Sequence, residues 1–241
     1  LVTSEAAPSS FWLRAAAEPE RLALVEADGR TWTAGALAAR VHQLVHGLRA
    51  RGLAHGDAVA VLLPNGEPLV TALLAVMQAG WHWVPLNTSL TASEVAWILA
   101  DSGAKACFVS QDLAAAIPSG IAMDESLLGE ESAPAEVKPQ DPAWLFYTSG
   151  TTGVPKGAVL THRNMLFQTQ AYFADIDRLG PGDSALHPAP LSHGSALYGL
   201  PHFAAGAVNV IPESAQFDPA EIFELLERRP NASFVAAPTM L

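Results

Sequence analysis

The sequence predicts an α/β fold in which helices pack against layered, largely parallel sheets. Short apolar segments typical of buried strands alternate with longer segments of helical periodicity along the whole chain. Half of the 241 residues are hydrophobic and 15% are charged, so the chain can bury a sizeable core. Strands that alternate with helices form parallel sheets through crossover connections, and this gives the fold class.

The first part of the chain is expected to form a hairpin, a helix and a buried strand. LALVEA at 22–27 has the composition of a strand, and DGR at 28–30 is a turn that closes a hairpin. Thr33 is placed to cap a helix over 35–51, whose apolar residues fall on one face. The apolar DAVAVLL at 57–63 predicts a buried strand.

The middle part continues the alternation. The long apolar segment 69–86 is interrupted by polar residues and glycine, so it predicts a buried helix running into a strand and not a membrane span. TASE at 91–94 has the pattern of a capping box, opening a helix to Ser102, and KACFVS at 105–110 predicts the next strand. The polar segment 128–142 contains three prolines and is expected to be a surface connection between two sublobes.

The last part begins with two strands, at 143–147 and 157–161, on either side of a glycine-rich segment. A helix is expected to start near His162. The remaining predicted elements are a strand within 183–190, a short helix over 195–206 kinked at Pro201, a strand at 207–212, a helix capped by Asp218, and a final strand and loop over 232–241.

Charge and cysteine content narrow the function classes. A net charge of −11 disfavours binding to nucleic acid or to an anionic membrane surface, and we interpret it as solvated acidic faces. The single Cys107 excludes an internal disulfide and is expected in the core.

The N-terminus has no pattern of a secretory signal, which predicts a cytoplasmic location. Because the chain begins with Leu and stops inside an apolar segment, we expect it to be part of a longer protein.

The most informative segment is YTSGTTGVPKG at 147–157, which directly follows the apolar AWLF. Its glycines permit the backbone conformations that turn several N–H groups toward one anion. Its hydroxyl side chains add donors, and Lys156, one of three lysines in the chain, adds a point charge. The order of residues does not fit the Walker pattern or the G-x-G-x-x-G pattern of dinucleotide sites. A phosphate cradle and an ordinary loop therefore both remain open from the residues alone.

The longer segment YTSGTTGVPKGAVLTHRN closely resembles the signature of the adenylate-forming (AMP-binding) superfamily, which includes acyl-CoA synthetases and peptide-synthetase adenylation domains. LLPNGEPLVTALLAVMQAGWHWVPLN, PAPLSHGSALYGL and APTML are similar to further family segments in the same order. The resemblance implies that 1–241 is the N-terminal portion of the large adenylation domain. It also implies that the rest of that domain and the C-terminal small domain are absent.

By this resemblance the full protein is an acyl-CoA synthetase that activates a carboxylic acid with ATP and Mg²⁺ and passes the acyl group to coenzyme A. No catalytic residue is assigned within this chain, and we expect the chain alone to be inactive. The family segments that bind magnesium and ribose, and the small domain with its lysine, have no counterpart in 1–241. The residues implied to hold the ATP phosphates are Thr148, Ser149, Gly150, Thr151, Thr152, Gly153 and Lys156.

The implied substrate pocket comprises His193, Gly194 and Ser195. Amino-acid-activating relatives carry an aspartate near this position for the substrate ammonium, and a histidine does not serve as that anionic anchor. The resemblance therefore favours a fatty or aromatic acid, although His193 could equally be a structural loop residue. No metal site is predicted, because His42 and His46, four residues apart on one helix, have no third ligand nearby.

Two other functions remain open. One is an adenylation domain that loads the thiol of a carrier protein, and the other is a nucleotide-binding or purely structural module without chemistry. Neither nucleic acid nor an integral membrane segment is expected as a partner or anchor.

Overall fold

The computed structural model describes residues 10–114, 116–117, 120–130, 135–148 and 155–240. These residues form two compact units that interleave along the chain. The first unit comprises Leu1–Ala38, Thr169–Ala189 and Gly194–Leu241, and the second comprises Ala39–Gln168 and Pro190–His193.

Strands and helices alternate as the sequence predicts. The strands are β1 (Leu22–Val25), β2 (Thr31–Thr33), β3 (Ala58–Leu62), β4 (His82–Pro85), β5 (Ala106–Val109), β6 (Gly120–Ala122), β7 (Pro142–Thr148), β8 (Lys156–Thr161), β9 (Ser184–Leu186), β10 (Val208–Val210) and β11 (Ala232–Phe234). The helices are α1 (Phe11–Ala17), α2 (Ala34–Ala50), α3 (Glu67–Ala79), α4 (Ala92–Ser102), α5 (His162–Asp175), α6 (Gly194–Ala205) and α7 (Pro219–Arg228). Two single-turn 3₁₀ helices lie at Glu125–Leu127 and Pro238–Met240.

The first unit contains a five-stranded sheet in the order β11-β9-β10-β1-β2. Its first four strands are parallel, and β2 joins as the antiparallel half of a hairpin with β1. The sheet residues Leu186, Val208 and Val210 pack with Ile222 of α7 in one apolar cluster. This cluster follows from the sequence, because the short strands are apolar and α7 is amphipathic.

The second unit contains a six-stranded sheet in the order β6-β5-β3-β4-β7-β8. All neighbours are parallel except β7 and β8, which form an antiparallel hairpin. Every residue of the central β3 is buried, as expected for a strand of continuous apolar character covered on both faces. The apolar cluster against one face includes Val95 and Ile98 of α4.

These observations confirm the predicted α/β class with layered, largely parallel sheets. The helix-to-strand transition within 69–86 is present as α3 and β4, separated by Gly80 in a left-handed conformation that ends the helix. Thr91 and Glu94 form the predicted capping box of α4. Asp218 accepts hydrogen bonds from two backbone amides at the start of α7, as a helix cap should.

Other parts of the chain extend the prediction. The sequence interpretation did not include α1, the shortest of the described α-helices, or the three-residue strand β6. The predicted connection at 128–142 lies within the second unit, and its residues 131–134 are outside the described part. Among the helices that the structure describes, none combines the length and the apolar character needed to cross a bilayer.

Candidate functional site

The hairpin of β7 and β8 carries the glycine-threonine segment, which comprises residues 148–156. Cα partners across this hairpin run from Pro142 with Thr161 to Thr148 with Lys156, so Thr148 and Lys156 face each other on the two strands. Residues 149–154 lie outside the described part of the chain. The phosphate-binding predictions for Ser149, Gly150, Thr151, Thr152 and Gly153 therefore stay predictions.

The position of this hairpin in the sheet suits a ligand site. β7 runs parallel to β4, with Trp83 paired to Trp144, so its last residue, Thr148, lies at the carboxyl edge of the parallel strands. Ligands of open α/β sheets bind at this edge. The side chains of Thr148 and Lys156 are both exposed there. A hydroxyl donor and an ammonium group thus stand on adjacent strands at the ends of the same seven-residue connection.

Lys156 stands at the exposed start of β8, and its charge environment bears on ligand binding. Within the described residues, its ammonium forms no ion pair with any carboxylate. An exposed ammonium without a competing carboxylate is available to an anionic ligand, and a point charge of this kind suits an oligophosphate.

His193, predicted in the substrate pocket, lies beside β7. Its ring meets that of Phe146 edge to face, with centroids 4.8 Å apart. Phe146 is two residues before Thr148, and alternation along the strand places the two side chains on the same face. The segment that bears His193 is held to the second unit by the backbone N–H of Leu191, which donates to Asn65 Oδ1 at 2.8 Å. The structure therefore brings one predicted pocket residue next to the strand that leads into the glycine-threonine segment.

Gly194 and Ser195 are the first residues of α6 and belong to the first unit. Gly194 is half-buried, and a Cβ there would meet no described atom within 4 Å. Ser195 is buried, and its hydroxyl lies 2.8 Å from Nδ1 of the buried His187. The other ring nitrogen of His187 lies 2.8 Å from Oδ1 of Asn209 on β10.

The chemistry of this buried group fixes the direction of its hydrogen bonds. A carboxamide oxygen only accepts, so Nε2 of His187 carries the ring proton and donates to Asn209. Nδ1 then accepts from the Ser195 hydroxyl. Burial lowers the pKa of His187 to about 4, so the ring is neutral near pH 7. Ser195 therefore anchors the start of α6 to β9 and β10 through this histidine.

Gly199 packs closely against the same group. A Cβ at this position would lie 3.2 Å from Asn209 Oδ1 and 3.2 Å from Cε1 of His187. Gly199 is therefore a position of close packing between α6 and the His187–Asn209 pair. Phe203 is likewise in the core, 5% exposed, with its ring edge-on to Phe11.

Sequence reasoning missed the partners of His202. Its Nδ1 lies 2.7 Å from the carbonyl oxygen of Tyr198, one helical turn earlier, and its Nε2 lies 3.2 Å from Ser233 Oγ. The ring of Tyr172 packs edge-on at 5.6 Å. Burial lowers the pKa of His202 as well. The only sequence signal for this group was a histidine inside an apolar helix, which does not identify partners on other elements.

No metal centre forms among the described residues: no three His, Cys, Asp or Glu side chains converge there on a position suited to a metal ion. His42 Nδ1 instead lies 2.7 Å from the amide nitrogen of Gln78. Cys107 is buried on β5, and burial raises its pKa to about 12, so it is an unreactive core thiol.

Comparison with known proteins agrees, over most of the chain, with the family resemblance of the sequence. A family model described as AMP-binding enzyme matches residues 11–241. Pyochelin synthetase PchE of Pseudomonas aeruginosa is 33% identical over 234 residues, which are 96% of this chain and 16% of that protein. Feruloyl-CoA synthase of an Amycolatopsis species is 36% identical over 226 residues, 90% of this chain and 45% of that protein. A fatty acid–[acyl-carrier-protein] ligase, ScoC of Streptomyces coeruleorubidus, is 36% identical over 202 residues, 76% and 39% of the two chains.

Among solved structures, o-succinylbenzoate CoA synthetase of Bacillus subtilis in complex with its acyl-adenylate intermediate is 28% identical, with a TM-score of 0.85. The match covers 97% of this chain and 62% of that one. The same enzyme in complex with ATP and magnesium gives a TM-score of 0.82 at 27% identity. The chain therefore spans less than two thirds of the length of each of these proteins.

Proposed function

Because the chain belongs to the family of AMP-binding enzymes, we propose that the protein activates a carboxylic acid at the expense of ATP. In the first step the carboxylate oxygen attacks the α-phosphorus of ATP and the bond to the β-phosphate oxygen breaks, giving acyl-adenylate and pyrophosphate. In the second step the thiol of coenzyme A attacks the acyl carbon, AMP leaves and the thiol proton is released.

The observation that carries this proposal is the pairing of Thr148 with Lys156 across the ends of the glycine-threonine segment. The ammonium of Lys156 neutralises charge on the leaving pyrophosphate, and the hydroxyl of Thr148 donates a hydrogen bond to a phosphate oxygen. Ser149, Thr151 and Thr152 add hydroxyl donors, while Gly150 and Gly153 let backbone N–H groups face the β- and γ-phosphates. Hydrogen-bond donors around the phosphates stabilise charge that develops in the transition state.

The described residues fit the triphosphate of ATP through two donors, the Thr148 hydroxyl and the Lys156 ammonium. They bring no group of three carboxylate or imidazole ligands together, so we assign no magnesium ligand among them. Magnesium, when bound with ATP, neutralises part of the phosphate charge. Coenzyme A enters only as the thiol substrate of the second step.

The proposed acid is fatty or aromatic. His193 and Phe146 present aromatic rings beside β7, and neither carries a carboxylate that would hold a substrate ammonium. Two of the similar proteins, feruloyl-CoA synthase and o-succinylbenzoate CoA synthetase, have aromatic acids in their names, which supports this class.

A carrier-protein thiol is the alternative acceptor. A fatty acid–[acyl-carrier-protein] ligase is as similar in sequence as feruloyl-CoA synthase, at 36% identity each. The first half-reaction is identical for both acceptors, so the loop chemistry above does not separate them.

The experiment is an acyl-transfer assay on the protein at its full natural length. The protein is incubated with ATP, Mg²⁺ and one member of a panel of fatty, aromatic and amino acids, with either coenzyme A or a phosphopantetheinylated carrier protein. Mass spectrometry then detects the thioester. We expect acyl-CoA with a fatty or aromatic acid. Thioester on the carrier alone would favour the alternative, and activation of amino acids only would contradict the proposed substrate class.

A further inference from the structure

The ring of Tyr147 lies directly on Gly157, its cross-strand partner in the hairpin. A Cβ at position 157 would lie 2.9 Å from Cζ of Tyr147 and 3.1 and 3.2 Å from two further ring atoms. Real Cβ atoms almost never approach within 3.0 Å of another heavy atom, so this ring position requires glycine at 157. A positive φ is not the reason, because Gly157 is a paired strand residue and is not among the positive-φ glycines of the described chain.

The ring is held in place from the side by α4. The Tyr147 hydroxyl donates to Asp101 Oδ2 at 2.7 Å, and the ring of Trp97 meets it edge-on with centroids 6.1 Å apart. Burial, and then the Asp101 carboxylate, raise the pKa of Tyr147 above its ordinary value, so the hydroxyl remains a donor at neutral pH.

Asp101 is not explained by the stability of its own helix. It lies in the last turn of α4, which ends at Ser102, where the helix dipole disfavours a negative charge. A carboxylate at this end of a helix costs stability unless another contact compensates. The hydrogen bond from Tyr147 is such a contact, and it links α4 to a strand 46 residues later in the chain.

The place of this contact in the hairpin suggests its purpose. Tyr147 directly precedes Thr148, and Gly157 directly follows Lys156, so the contact is one residue from each end of the glycine-threonine segment. Because side chains alternate along a strand, the Tyr147 ring packs toward the apolar cluster of the second unit while Thr148 points to the other face. Tyr147 can therefore act on the ligand side only through the backbone.

We propose that Tyr147, held by Asp101 and lying on Gly157, is a positioning residue for the ATP phosphates. It fixes the spacing and orientation of Thr148 and Lys156 so that the hydroxyl and the ammonium reach the same triphosphate. This inference rests on the proposed function and deepens it, because it assigns Tyr147 and Asp101, neither of which contacts a phosphate, to ATP recognition.

The test uses ATP–pyrophosphate exchange by the protein at its full natural length, with ATP and the carboxylic acid varied separately. Tyr147→Phe keeps the ring and removes the hydroxyl, and we expect the KM for ATP to rise about fivefold. This is less than the full loss of a hydrogen bond to a charged group, because Tyr147 acts on the phosphates only through the backbone. The KM for the carboxylic acid should not change. Asp101→Asn keeps an acceptor for the hydroxyl and should restore most of the ATP affinity that Asp101→Ala loses. Tyr172→Phe removes a tyrosine hydroxyl from the first unit and is the matched control.

Gly157→Ala supplies a second, independent readout. The added methyl overlaps the Tyr147 ring, so its effect on the KM for ATP should be large with Tyr147 present and small in the Tyr147→Ala background. An equal effect in both backgrounds would overturn the inference. So would a Tyr147→Phe protein in which only the amount of active enzyme falls. Absence of exchange by the wild-type protein would instead overturn the proposed function, and this inference with it.

Discussion

Protonation of His187 is opposed by its burial between Ser195 and Asn209, and this makes the stability of the first unit depend on pH. The pKa of His187 is lowered from 6.5 to about 4 in the folded state, because the ring is buried. The unfolded chain therefore binds a proton at a higher pH than the folded chain. The stabilisation is complete above the unfolded pKa and is lost as the pH falls toward the folded pKa.

The size of the effect follows from the two pKa values. Integrated from about pH 7.5 down to about pH 5, this one site costs roughly 2 kcal/mol of unfolding free energy. Carboxylates elsewhere also change stability in this range, so the comparison needs a variant that lacks only this titration. His187→Gln retains a donor for Asn209 and an acceptor for Ser195 but does not titrate.

Urea denaturation of the wild type and of His187→Gln at several pH values measures the contribution. At about pH 7.5 the wild type should be the more stable, because glutamine fills the site less well. We expect this advantage to shrink by about 2 kcal/mol at about pH 5. A difference in unfolding free energy that is the same at both pH values would refute the reasoning from burial.

Three further predictions concern substitutions of single residues. Lys156→Ala should reduce ATP–pyrophosphate exchange by about tenfold to a hundredfold, because a charge-assisted hydrogen bond to the phosphates is lost. Lys138 lies outside the site, so Lys138→Ala should exchange as the wild type does, and equal effects of the two substitutions would contradict the assignment. Gly80→Ala should lower the unfolding free energy by at least about 1 kcal/mol, because φ is 71° and the added Cβ would overlap the ring of His55; unchanged urea denaturation would count against this. Asp218→Ala should cost about 1 kcal/mol in the same assay by removing the cap of α7, and Asp218→Asn should retain most of it.

Local patterns were sufficient to predict much of the fold. The capping box at Thr91 and Glu94 and the cap at Asp218 need only neighbouring residues, and both form as expected. The helix and strand within 69–86 follow from a change of periodicity beside Gly80. The three-residue β6 gives little local signal, because it becomes a strand only through its pairing with β5.

Contacts between distant parts of the chain were beyond sequence reasoning. Ser195 and His187 are eight residues apart, but Asn209 joins them only because β9 and β10 pair in parallel, with Ala185 opposite Asn209. The hydrogen bond from Tyr147 to Asp101 depends in the same way on where α4 packs. A sequence pattern identified Lys156 and His193 as candidate site residues. The contacts that position their strands and loops depend on the register of the sheet, which a local pattern does not give.

Activation of a carboxylic acid by ATP is measured by carboxylate-dependent exchange of labelled pyrophosphate into ATP. The protein at its full natural length would be assayed with fatty, aromatic and amino acids, one at a time. We expect exchange with at least one fatty or aromatic acid and none when the acid is omitted. Absence of exchange with every acid, in a protein that is folded and binds ATP, would contradict this expectation and favour a nucleotide-binding module without chemistry.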